Sequence, residues 1–197
     1  MKKIVNDILK EEVYYEKLEN GLDVYFMPKH GFTKKYAILA TNYGSNELEF
    51  VPIGESEKFR VNEGIAHFLE HKMFEQPDGG NAFDKFSKWG ASANAFTNFT
   101  MTAYLFSGTE NFYDSLGHLI DYVQTPYFTD ENVEKEKGII EQEIKMYEDD
   151  PDWNVYFNCL KALYVNHPVR VDIAGSVESI YKITKEELYK CYNTFYN

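Results

Sequence analysis

Two histidines and a glutamate, His67, Glu70 and His71, stand together in the run Gly64-Ile65-Ala66-His67-Phe68-Leu69-Glu70-His71. On a helix His67 and His71 are four residues apart and share a face. Two imidazoles one turn apart can each approach a single Zn²⁺ at about 2.0–2.1 Å. Glu70 reaches the edge of that site without being a ligand. A carboxylate there can take a proton from an activated water and return it to a leaving amine. The bland alternative is a pair of hydrogen-bonded histidines on a surface helix, and the rarity of H-x-x-E-H weighs against it. His30, His118 and His167 lie outside the segment, and His167 reads as a loop residue.

Two histidines do not complete a catalytic zinc site, which takes a third protein ligand and keeps a position open for water. The acidic stretch 130–149 is the obvious source. Read as a helix, it puts Glu136, Ile140 and Glu143 on one face, while Glu141 points elsewhere. Glu136 and Glu143 are separated by about 10 Å along the axis. Spacing alone does not choose between them. Most other carboxylates of the stretch read as a solvated face with pairs such as Glu131–Lys135. Glu148, Asp149, Asp150 and Asp152 read as surface.

These residues need elements to hold them. Residues 13–28 carry β-branched and aromatic residues around Asn20-Gly21, a hairpin signal. Residues 36–43 read as a further strand and 44–61 as a loop. From Asn62 to Phe74 the apolar spacing suits a mostly buried helix with Asn62 as its cap. Residues 81–89 suit a short helix capped by Asn81. The uncharged stretch 91–106 reads as one or two strands. Residues 109–124, 130–149, 153–165 and 184–196 read as helices, with Pro126, Pro151 and Pro168 as breaks. The expected class is α+β, an antiparallel-rich sheet packed against helices, in a single domain over 1–197. Cys159 and Cys191 read as buried thiols, and Trp89 and Trp153 as packing residues.

The chain has 197 residues, 44% hydrophobic and 17% aromatic, enough to bury a core without disulfides. Its net charge of -12 argues against nucleic-acid partners and a polybasic membrane anchor. The uncharged run from Trp89 to Thr109 is too rich in Asn, Thr and Ser for a membrane helix. Two cysteines and no apolar leader segment point to a reducing, cytoplasmic setting.

HFLEH followed by EKEKGIIEQEIKMYEDDPDW resembles the insulinase/pitrilysin family of zinc metallopeptidases, nearest to its bacterial processing-peptidase-like members. GIAHFLEHKMFE, ASANAFTNFTMTAYLFSGTENF, LIDYVQTPYFT, EKGIIEQEI and HPVRVDIAGSVESI fall in family order over nearly the whole chain. The resemblance implies one Zn²⁺ per chain on His67, His71 and Glu143. It implies Glu70 as general base and Glu136 as an acid behind the ligands that assists catalysis. It implies that Ser92, Ala93, Asn94 and Ala95 form an edge strand along which an extended peptide substrate binds. The family's clamshell has two homologous halves, and this chain matches the first, metal-bearing half, cut short at its C-terminus. The second half, or a paired homologous subunit, would supply Arg and Tyr groups for the oxyanion. The expectation is therefore a zinc endopeptidase half-domain, weakly active or inactive in isolation. The alternative is a non-catalytic scaffold subunit of a paired complex. An uncovered apolar half-interface favours self-association into a homo-oligomer.

Overall fold

A computed structural model describes residues 1–196. By its internal packing the chain divides into two units, Met1–Lys34 and Lys35–Asn197. The aromatic residues around Asn20-Gly21 form the expected hairpin, β2 (Glu11–Lys17) against β3 (Asp23–Phe26). The chain reverses with Gly21 at φ 93°, backbone that glycine adopts without a Cβ penalty. Cross-strand pairs Tyr14–Phe26 and Tyr15–Tyr25 lock the register. A further strand, β1 (Lys2–Asn6), pairs antiparallel with β2, so the first unit closes its ladders among its own strands.

The second unit is built on a three-stranded antiparallel sheet of order β4-β8-β7. β4 spans Lys35–Thr41, β7 Ser92–Thr97 and β8 Thr102–Gly108. β8 is central and mostly buried, with Tyr104 and Phe106 in the core. β7 is an edge strand that alternates exposed and half-buried residues. The loop expected over 44–61 contains one short ladder, β5 (Glu49–Phe50) with β6 (Phe59–Arg60).

Helices cover this sheet: α1 (Ile65–Lys72), α2 (Ala82–Lys88), α3 (Phe112–Val123), α4 (Asp130–Glu148), α5 (Pro151–Leu163), α6 (Val177–Ile180) and α7 (Lys185–Phe195). Phe68 and Leu69 of α1, Phe86 of α2, Leu119 and Tyr122 of α3, Ile140 of α4 and Leu188 of α7 share one core with β8. His118 of α3 is buried and donates through Nε2 to the Ala82 carbonyl at 2.9 Å. Among the described residues no helix is long and apolar enough to cross a membrane.

Local chemistry corrects four expectations. The helix expected from Asn62 to Phe74 starts at Ile65, and its cap is Gly64 rather than Asn62. Gly64 has φ 87°, and a Cβ there would stand 2.2 Å from the Ala174 carbonyl oxygen. The Asn62 amide instead donates to the Glu187 carboxylate at 2.9 and 3.2 Å. Pro151 stands at the expected break between two helices, but the helix expected from residue 153 already starts at Pro151, where the missing N–H costs nothing. Asp150 caps that helix by accepting from Asp152 N at 2.9 Å and Trp153 N at 3.1 Å. Cys191 is buried as expected, but Cys159 lies on the exposed side of α5. The ion pairs along α4 are Glu134–Lys137 and Glu141–Lys145 rather than Glu131–Lys135, since Lys137 turns inward and reaches the Tyr181 carbonyl.

Gly64 is thus a fixed point at the start of α1. Gly64→Ala is expected to cost at least about 2 kcal/mol, from left-handed backbone plus a backbone clash. That would lower the thermal midpoint by roughly 4–8 °C. An unchanged midpoint in a thermal melt would contradict this account.

Candidate metal centre

α1 turns His67, Glu70 and His71 toward α4 on one side and β7 on the other. α4 is fixed by a capping box: Thr129 accepts from Asn132 N at 3.1 Å, and Asn132 accepts from Thr129 N at 2.9 Å. Val133, Ile140 and Ile144 anchor it in the core, which leaves Glu136 and Glu143 facing α1.

The structure brings the motif and α4 together. His67 Nε2 lies 3.6 Å from Glu143 Oε1, and His71 Nε2 lies 3.4 Å from Glu143 Oε2. One ligand atom from each of His67, His71 and Glu143 falls within a set no more than 4.8 Å across. These gaps are long for hydrogen bonds. They match the roughly 3.4 Å edge of a tetrahedron whose corners lie about 2.1 Å from its centre. Glu136 Oε1 meets the other ring nitrogen, His71 Nδ1, at 3.0 Å. A carboxylate accepting Nδ1–H leaves the Nε2 lone pair facing the Glu143 carboxylate. Two electron-rich groups aimed at one gap suit a cation between them. The donor set therefore fits a zinc ion.

The titrating groups reflect this crowding. Burial, reinforced by the nearby His71, pushes His67 down to about 3, so it is a neutral imidazole at neutral pH. Its Nδ1 is buried with no hydrogen-bond partner among the described residues. Burial also opposes charge on His71, but the hydrogen bond and charge of Glu136, with Glu143 and Glu70 adding, outweigh it and raise its pKa. Burial would raise Glu136, yet its bond to His71 and the charge of Lys72 hold it below the ordinary carboxylate value. Glu70 moves the other way: burial raises it, against the opposing hydrogen bond that Thr97 donates at 2.6 Å.

Beside the two helices runs a cleft of about 600 Å³, which Glu70, His71 and Glu136 line with Asn94 and Ala95 of β7. Ser92 and Ala93 lie further along the same edge strand. Two residues near the centre escaped the sequence reading. Thr97, at the end of β7, reaches Glu70, and no sequence signal marked it. Lys72 is fully buried beside Glu136. Its signal was its place on the same helical stripe as Phe68 and Leu69, where a charge is out of pattern.

An α+β domain whose helices α1 and α4 bring two histidines and a glutamate within ligand distance of one another belongs to the class of domains that can hold a metal ion. Comparison with known proteins makes the class specific: residues 50–176 match the insulinase family, peptidase family M16, and the chain belongs to that family. It is 59% identical, over all of its length, to the uncharacterized zinc protease YmfH of Bacillus subtilis. It covers 46% of that relative. The fold superposes with a TM-score of 0.89 on an M16-like peptidase from Alicyclobacillus acidocaldarius, at 50% identity, covering 94% of this chain and 43% of that one. A protease from Helicobacter pylori shares the fold at a TM-score of 0.80 and 22% identity, over 92% of this chain and 43% of its own. The chain thus spans about half the length of the relatives it matches.

Proposed function

We propose that the chain is the metal-bearing half of a zinc endopeptidase that hydrolyses peptides or unfolded segments, with one zinc on His67, His71 and Glu143. The observation that carries the reading is the meeting of three ligand atoms within 4.8 Å beside the buried carboxylate of Glu70. Bound zinc supplies Lewis acidity, polarising the scissile carbonyl and acidifying the attacking water. Glu70 takes the water proton and returns it to the leaving amine. Burial favours its protonated form, so it can hold that proton between the two steps. The Thr97 hydroxyl aims the carboxylate. Glu136 orients His71 by accepting its Nδ1–H.

The edge strand β7 offers the substrate an unpaired row of backbone groups from Ser92 to Ala95. A peptide added there as a strand gains main-chain hydrogen bonds whatever its sequence. Asn94 and Ala95 carry it along the cleft past Glu70. The groups that would hold the oxyanion belong to a second half or a paired subunit. The site of this half alone is open to water, which weakens such stabilisation.

Metal content and hydrolysis test the reading together. The protein purified without added metal or chelator is expected to hold about one zinc per chain. With the second half or paired subunit present, a chelator should remove peptide hydrolysis and zinc should restore it, while His67→Ala should hold no zinc. Hydrolysis that survives complete removal of metal would refute the proposal.

A further inference from the structure

Lys72 is the last residue of α1, and its side chain is 0% exposed. It sits on the stripe formed by Phe68 and Leu69, where a methionine or leucine would pack without cost. A buried ammonium is expensive unless it is paired. Its partners here are Glu75, with which it forms a close ion pair, and Glu136, whose Oε2 lies 3.5 Å from Nζ. The other oxygen of Glu136 bonds His71 Nδ1 at 3.0 Å. Glu136 is therefore gripped at both oxygens, by a cation behind it and an imidazole in front.

We propose that Lys72 is a positioning residue for the metal centre: it anchors the Glu136 carboxylate on His71 Nδ1 and so keeps Nε2 of His71 aimed at the gap shared with His67 and Glu143. The inference rests on the metal site proposed above. Without the ammonium, Oε2 of Glu136 loses its cationic partner. The carboxylate is then free to rotate off Nδ1 or to swing toward the cation in competition with Glu143. Glu75 pairs with Lys72, Lys72 with Glu136 and Glu136 with His71, so the order of action runs Glu75, Lys72, Glu136, His71. Only the last of these would touch the ion.

The test is zinc affinity, measured by competition with a chromophoric chelator, together with the visible absorption of the cobalt-substituted protein. Lys72→Met is expected to weaken zinc binding by about 10–100-fold, the range for partners that orient a ligand. It should also change the cobalt spectrum, which reports ligand geometry and which a purely structural lysine would leave alone. Glu136→Gln is expected to show a comparable loss, and the double variant no more than Glu136→Gln alone, because both act through one contact. Should Lys72→Met fold poorly because Glu75 is left unpaired, Lys72→Met with Glu75→Gln removes that charge and should show the same loss. Wild-type zinc affinity and an unchanged cobalt spectrum in either folded variant would overturn the proposal. Additive losses in the double variant would overturn it as well. If the wild-type protein itself binds no zinc, the proposed function falls and this inference with it. If the wild type binds zinc and His67→Ala does not, a negative result at Lys72 counts against Lys72 alone.

Discussion

With the second half or paired subunit present, replacing Glu70 by glutamine is expected to leave zinc bound and to lower kcat by about 10²–10⁴-fold, the usual worth of a positioned acid–base group. The side chain is buried, and its Oε2 accepts the Thr97 hydroxyl proton at 2.6 Å. Glutamine has the same shape and can still accept that hydrogen bond through its amide oxygen, so fold and ligands should persist. It cannot take a proton from water or give one to an amine. The loss should therefore fall on kcat with little change in KM, since a group needed only in the transition state does not set ground-state affinity. Metal analysis of the same preparation separates this from loss of the site. Wild-type kcat with glutamine at position 70 would remove Glu70 from the base role.

The chemistry was legible where periodicity fixes geometry. Four-residue spacing put His67 and His71 on one face of a helix, and the acidic stretch was recognisable as a second helix. The order of sheet, paired helices, sheet and further helices was legible from runs of apolar residues and their breakers. What spacing could not convey was how two helices face each other. Glu136 and Glu143 were equivalent on the α4 face. Only the packing of α1 against α4 sets one against Nδ1 of His71 and the other between the two Nε2 atoms. The same limit hid Thr97, whose role depends on β7 lying beside α1. Gly64 displaced Asn62 as the cap because a backbone 110 residues away comes within 2.2 Å of where its Cβ would be, a contact that local sequence does not encode. Cys159 was misread for a simpler reason. Apolar neighbours on α5 such as Val155 and Leu163 are themselves exposed, so hydrophobicity there did not mean burial.

Glu143→Gln is expected to weaken zinc binding by more than about 100-fold, beyond the roughly 10–100-fold that follows loss of a group which only orients a ligand. The two oxygens of Glu143 serve two partners, one near each Nε2 at 3.6 and 3.4 Å. An amide offers one neutral oxygen in their place and cancels no charge on the metal. Glutamine at position 136 keeps an acceptor for His71 Nδ1–H, so its loss should be the smaller one. Thermal melts in zinc rank the two. With free zinc near 100 times the wild-type Kd, binding stabilises the folded chain by about 2.7 kcal/mol, or roughly 5–11 °C. At the same zinc concentration a 100-fold weaker site retains about 0.4 kcal/mol and a 10-fold weaker site about 1.4 kcal/mol. The zinc-dependent rise in midpoint should therefore nearly vanish for Glu143→Gln and fall by about half for Glu136→Gln. The reverse order would exchange their roles, making Glu136 the ligand and Glu143 the group that orients it.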